Sequence, residues 1–206
     1  YICYNSINCK FEVKIDHQPL FPTPLFEITG LEIDNEKLAK DIYDLQKKDE
    51  GVKGGYSNEG GWHSNVQIAS EMDEIFKPLI DNLIKVLLEL EFSPKIKQVD
   101  NLVLWANINS KGSYNTTHNH PGCDLSGVYY VKVPEGECGN INFIDPRPAL
   151  NYGNCFIVQR YVGGDSIPRF PVEGTMYIFP SSLQHSVGTN ETDEDRISIS
   201  FNLNIR

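Results

Sequence analysis

Three histidines and one arginine are the residues of this chain whose types and spacing suit chemistry. One residue separates His118 from His120, and His185 lies beyond a run punctuated by glycine and proline. Positions i and i+2 of a strand point the same way, so both imidazoles of His118-Asn119-His120 can reach one point. His185 ends the run Pro180-Ser181-Ser182-Leu183-Gln184-His185, just after an expected strand over 175–179, and a closed sheet brings it beside the pair. Three neutral imidazoles suit Fe, Zn, Ni or Cu, and a facial set leaves positions open for a ligand and for dioxygen. A lone histidine is more often a loop or surface residue. The paired spacing with a third histidine shifts the balance toward a metal site. Arg196 opens Arg196-Ile197-Ser198. Its guanidinium, with a hydroxyl two residues on, can hold a carboxylate by a bidentate pair plus one further hydrogen bond. The competing reading pairs Arg196 in solvent with the acidic turn at 191–195; its position relative to His185 favours the first.

These residues need a scaffold, and the hydrophobic pattern changes along the chain. Leu38, Ile42 and Leu45 recur at helical spacing after Asp34 or Asn35, either of which can cap a helix. A second helix is expected where Phe76, Leu79, Ile80, Leu83, Ile84, Leu87 and Leu88 form an apolar stripe, with Ser70 as cap and Asp73 three residues on. Pro78 inside that stripe implies a kink or a later start. Between the helices, 51–61 reads as a glycine-rich loop. From about residue 99 the period becomes two: Leu102, Leu104, Ala106 and Ile108 alternate with Val103, Trp105, Asn107 and Asn109. Further strands are expected over 126–133, 141–144, 156–159, 175–179 and 196–204, separated by Gly, Pro and Asn turns, which is the pattern of a sandwich or barrel. On the last strand Ile197, Ile199, Phe201 and Leu203 share one face, and Arg196, Ser198, Ser200, Asn202 and Asn204 share the other. If the apolar face packs on the helices, the polar face lines a barrel interior, and buried polar groups there need partners.

Composition sets outer bounds. The chain has 206 residues, 40% of them hydrophobic and 22% charged, which suits one globular domain with a sizeable core. Its net charge of −10 makes it a poor binder of phosphate backbones, so no nucleic-acid partner is expected. No apolar run is long enough for a membrane span. The five cysteines (Cys3, Cys9, Cys123, Cys138 and Cys155) are odd in number, scattered and without a C-x-x-C, which fits a reducing cytoplasm rather than a disulfide framework or a structural zinc. No signal peptide is visible after Tyr1. Most of the 16 Gly and 12 Pro fall after residue 110, which leans that part toward β structure.

Several motifs in order carry a resemblance. Phe21-Pro22-Thr23-Pro24-Leu25, Gly60-Gly61-Trp62-His63-Ser64, Trp105-x-Asn107, Gly112, His118-x-His120-Pro121, Ser126-Gly127-Val128-Tyr129-Tyr130, Asp145-Pro146-Arg147, Phe179-Pro180-Ser181-x-x-x-His185-x-Val187 and Arg196-Ile197-Ser198-Ile199-Ser200-Phe201-Asn202 are similar to the 2-oxoglutarate/Fe(II) oxygenases, in a branch near the prolyl hydroxylases. The resemblance covers residues from about 20 to 206. It implies a mainly β (α+β) fold, a double-stranded β-helix or jelly roll with N-terminal supporting helices. The chain then divides into an extension or remnant at 1–18, a helical support at 19–98 and a jelly-roll catalytic core at 99–206, one globular domain overall. The resemblance also implies Fe(II) on His118 and His185. His120 stands where the wider superfamily has a carboxylate, so either it is the third ligand or Asp124 swings in from the following loop. It further implies 2-oxoglutarate held by Arg196 and Ser198, with Tyr130 (Tyr129 as runner-up) and Asn107 beside it. The implied reaction couples decarboxylation of 2-oxoglutarate to succinate and CO2 with hydroxylation of a substrate C–H bond, so dioxygen and an unidentified substrate, peptide or small molecule, are the other partners. Asp145-Pro146-Arg147 either lines the mouth or is a plain turn. The segment 149–171 is a lid or an ordinary insertion.

Two other readings compete. Gly112, five residues and His118-x-His120 imitate a first cupin motif, with Asp124 near an acidic ligand position, but Pro171-Val172-Glu173-Gly174 is a poor second motif and a cupin has no need of Arg196-x-Ser198. A non-catalytic jelly roll binding sugar or peptide leaves the clustered histidines without a purpose.

Overall fold

A computed structural model of the chain describes residues 21–53, 57–68, 74–90, 95–147 and 166–206. In chain order the elements are β1 (Phe26–Ile28), α1 (Asn35–Gln46), β2 (Asn58–Glu59), β3 (Trp62–His63), β4 (Gln67–Ile68), a 3₁₀ turn (Glu74–Phe76), α2 (Lys77–Glu89), β5 (Val99–Asn109), β6 (Tyr114–His118), β7 (Leu125–Lys132), β8 (Ile141–Ile144), β9 (Ser166–Arg169), β10 (Met176–Pro180), β11 (His185–Val187) and β12 (Arg196–Ile205). The strands form two sheets, ordered β1-β10-β7-β12-β5-β3, with β4 also on β5, and β2-β6-β11-β8-β9. The pairings are antiparallel throughout. The described residues are thus mainly β, a jelly roll with two α-helices on one side.

Strand alternation explains the layering. On β7, Tyr129 and Val131 face one way, into a core shared with Leu38 and Ile42 of α1 and Leu79, Leu83 and Leu87 of α2. Val128 and Tyr130 face the other way and pack with Ile141 and Phe143 of the smaller sheet. The larger sheet is therefore covered on both faces, by helices outside and by the second sheet inside. β12 runs through its middle, with Ile197, Ile199, Phe201 and Leu203 all 0% exposed against the helices. Burial of each such side chain stabilises the fold by roughly 1.5–3 kcal/mol. The polar side of β12 is left facing inward, as its sequence alternation requires.

The helices form largely where periodicity places them. The Asp34 carboxylate accepts from the Lys37 N–H at 3.0 Å and caps α1, while Leu38 and Ile42 are buried. Pro78 sits in the first turn of α2, where its missing N–H costs nothing, so the helix starts later instead of kinking. The buried stripe of α2 is narrower than the sequence suggests: Ile84 is 43% and Leu88 69% exposed. The expected loop at 51–61 contains β2, which adds to the smaller sheet beside β6. The short strands β6 and β11, where alternation is weak, were not expected as strands, and neither were β1 and β9. The proposed cap Ser70 with Asp73, the strand at 156–159, the extension at 1–18 and most of 149–171 lie outside the described residues.

A polar contact ties α1 to the start of β12. The Tyr43 hydroxyl of α1 donates to Asp195 Oδ2 at 2.9 Å, just before β12 begins at Arg196. Burial first, then the Asp195 hydrogen bond, pushes this phenol from 10.0 up to about 12. A phenol raised on folding adds stability that is fully present below pH 10 and is lost as pH climbs through 12. Tyr43→Phe is expected to cost about 1 kcal/mol at neutral pH and to flatten the fall in stability between pH 10 and 12. Urea unfolding across that range measures both.

Candidate metal centre and active site

The smaller sheet builds the first two ligand positions by direct pairing. His118 at the end of β6 and His185 at the start of β11 are opposite each other in the ladder, and their ring centroids lie 4.2 Å apart. His120 falls past the end of β6, so it does not share a strand face with His118 as the i, i+2 spacing suggests. The turn after β10 brings it in: the His120 N–H donates to the Ser181 carbonyl at 2.9 Å, and the Ser181 N–H donates to the Asp124 carbonyl at 3.1 Å. Its ring then stands 5.0 Å from His118 and 5.3 Å from His185. One potential ligand nitrogen from each of the three lies within 4.8 Å of the others.

The electrostatics keep these rings neutral. Burial, then the neighbouring His118, lowers His185 to about 3 and His120 to about 4. Burial lowers His118 as well, against a partial lift from the Thr116 carbonyl. At neutral pH all three lone pairs are therefore available, and imidazole donors suit Fe(II). Asp124 is not part of the cluster, because its Oδ2 accepts from the Ile205 N–H at 2.9 Å on the exposed side of β12.

The larger sheet faces the histidines with one polar row. Ser198 on β12 pairs with Asn107 on β5 and with Tyr130 on β7, and Arg196 pairs with Asn109. Asn107, Tyr130, Arg196 and Ser198 line the same cleft as His118, His120 and His185. Arg196 is 1% exposed. Its Nη1 donates to the carbonyls of Cys138 at 2.6 Å and Gly139 at 2.9 Å, and no carboxylate among the described residues pairs with it. Gly139 makes that approach possible: its φ is +89°, and a Cβ there would overlap the Gly188 carbonyl and lie 2.8 Å from Arg196 Nη1. Burial lowers the guanidinium, and the nearby Tyr130 hydroxyl and Cys138 thiol offset this in part. Tyr130 is buried, and its hydroxyl is pushed upward by that burial. Tyr129 turns outward instead and donates to Asn35 Oδ1 at 2.8 Å. Of the two readings of Asp145-Pro146-Arg147, the local turn is the one observed: the chain bends at Pro146, and the Arg147 side chain donates to the Asp145 carboxylate.

Some lining residues were reached only through the resemblance or not at all. His63 is 5% exposed and stacks on Trp105 at 5.5 Å, and Trp105 in turn lies 6.0 Å from His120. Ser57 Oγ sits 3.2 Å from His118 Nε2. Ser200 accepts from Asn107 Nδ2 at 3.2 Å. The alternation of β12 put Ser200 on the cleft side in advance; Ser57, in the glycine-rich loop, has no local signal that marks it.

With that geometry in place, residues 103–202 match a family model described as "Putative 2OG-Fe(II) oxygenase". Over these residues the chain is similar to the 2-oxoglutarate/Fe(II) oxygenases. No curated protein matches the chain by sequence. Among solved structures, the fold is shared with a Pseudomonas putida prolyl-4-hydroxylase at 12% identity and a TM-score of 0.61, covering 89% of this chain and 94% of that one. HygX from Streptomyces hygroscopicus, solved with nickel and 2-oxoglutarate, matches at 14% identity and a TM-score of 0.59 over 88% of this chain and 83% of that one. The viral collagen prolyl hydroxylase of Paramecium bursaria Chlorella virus-1 matches at 14% and 0.54, over 87% and 94%.

If the three histidines bind the metal, His185→Ala lowers Co(II) affinity by at least the roughly 10–100-fold typical of losing even an outer partner, while Asp124→Asn leaves it unchanged. Calorimetric titration of the metal-free protein separates the two.

Proposed function

We propose that this chain is a 2-oxoglutarate/Fe(II)-dependent dioxygenase that hydroxylates a C–H bond of its substrate. The observation that carries this reading is a buried guanidinium without a carboxylate, across one cleft from three converging neutral imidazoles. In this reading His118, His120 and His185 hold the iron. Arg196 and Ser198 hold the distal carboxylate of 2-oxoglutarate, with Tyr130 and Asn107 beside it. The donor set fits iron with one departure: three neutral ligands leave the metal one unit more positive than a site with a carboxylate. Bound iron and 2-oxoglutarate together supply the oxidising chemistry, which converts 2-oxoglutarate and dioxygen to succinate and CO2 while a substrate C–H becomes C–OH.

The chain's own residues bind, orient and exclude water. Arg196 sits in a dry setting where a charge-assisted pair is stronger than in water. Ser198, one pleat along on the same face, adds a hydroxyl, and the Phe179 and Val128 side chains close the cleft wall between the sheets. Residues 19–98 then serve as the support and 99–206 as the catalytic core. The prolyl hydroxylases among the structural matches favour a peptide or protein residue as substrate; HygX, also solved with hygromycin B, represents the small-molecule class. No helix among the described residues is long and apolar enough to cross a membrane. With Cys123 and Cys138 as free thiols, the cytoplasm is the compartment we assign.

The test is succinate formation from 2-oxoglutarate with Fe(II), oxygen and a panel of peptides and small molecules. Arg196→Ala removes one partner of a buried charged pair, worth about 2–5 kcal/mol, and is expected to raise KM for 2-oxoglutarate by roughly 30- to 3,000-fold. Ser198→Ala has a smaller effect in the same direction. Undiminished turnover in Arg196→Ala would contradict the reading.

A further inference from the structure

The three imidazoles are anchored in two different ways. Nδ1 of His118 lies 2.7 Å from the Thr116 carbonyl oxygen, and Nδ1 of His185 lies 2.9 Å from that of Leu183. A carbonyl only accepts, so each Nδ1 carries the proton and each Nε2 keeps its lone pair. The backbone thus dictates the ligating tautomer of both rings. His120 is served by side chains instead: its Nδ1 is 3.4 Å from Asn202 Nδ2, and the Ser126 hydroxyl donates to Asn202 Oδ1 at 2.7 Å.

Asn202 and Ser126 are ladder partners on β12 and β7, and both are buried. Amide and hydroxyl can each donate and accept. With the hydroxyl donating to Oδ1, the amide nitrogen faces the ring, Nδ1 accepts, and the ring proton rests on Nε2. With the amide turned over, Oδ1 accepts from Nδ1–H, Nδ2 donates to Ser126 Oγ, and Nε2 is free to ligate. Each state pairs His120 Nδ1 with the amide and the amide with Ser126 Oγ, so the exchange leaves neither the ring nitrogen nor the amide without a partner.

We infer that Asn202, seated on Ser126, is a positioning residue for His120: the turn of its amide sets which ring nitrogen carries the proton and so admits His120 to the metal. The inference rests on the metal reading above. It gives β12 two tasks on one polar face, the carboxylate at Arg196 and the third ligand at Asn202.

The experiment combines Co(II) titration with ¹⁵N spectra of the histidines in metal-free and Zn(II)-loaded protein. In the native protein the His120 proton is expected on Nε2 without metal and on Nδ1 with Zn(II). Asn202→Ala is expected to weaken Co(II) binding roughly 10–100-fold, and Asn202→Asp, which keeps an acceptor facing Nδ1–H, to restore it. The inference is overturned if Asn202→Ala binds Co(II) as tightly as the native chain, if Asn202→Asp is as weak as Asn202→Ala, or if the His120 proton stays on one nitrogen. The native spectra decide this even where Asn202→Ala fails to fold. Failure of the native chain to bind Co(II) would instead overturn the metal reading, and the inference with it.

Discussion

The Arg196 guanidinium is the constraint to which the other parts of the structure answer, because burying a charge with no acid beside it is costly unless hydrogen bonds and a later anion offset the loss of water. Two backbone carbonyls meet part of that cost. They are available only because Gly139 has a positive φ and no side chain. The strand that carries Arg196 must also be held firmly, and its opposite face does this with four apolar side chains wholly buried against the helices. The helices are therefore not an appendage. They stabilise the one strand whose inner face carries the polar row.

That division of faces was legible in the sequence. Strict alternation over 196–204 separated an apolar from a polar side and left open whether the polar side meets water or a cleft; the register of β12 with β5 and β7 places Asn107, Ser198 and Tyr130 in one row on the cleft side. The parity of Tyr130 with Ser126 and Val128 also separated it from Tyr129, which turns to α1. The convergence of the histidines was legible as an outcome but not as a geometry. His120 arrives through a turn latched to Ser181 rather than through strand periodicity. Short strands such as β6 and β11 carry too few residues for alternation to register. Contacts between loops distant in sequence, such as Ser57 on His118, have no local pattern at all. In the second helix, hydrophobicity alone overstated the buried face, since Ile84 and Leu88 are apolar yet exposed.

Charge is arranged against the global trend. The chain carries a net −10, a field that repels a dicarboxylate. In the proposed function, attraction comes from within the cleft, where Arg196 and a metal held by uncharged ligands would supply positive charge. His120 as third ligand, in place of a carboxylate, would make that local charge larger, because no ligand would cancel part of it. A three-histidine site and a deeply buried arginine would then serve the same end in an acidic protein.

The central claim is that the histidine cluster and Arg196 together hold iron and 2-oxoglutarate in one cleft. The most direct measurement is optical: anaerobic addition of 2-oxoglutarate to the Fe(II)-loaded protein. A metal-to-ligand charge-transfer band is expected to grow to a one-to-one end point, which requires the cosubstrate to bind through the metal itself. Absence of that band in protein shown to retain iron would contradict the claim.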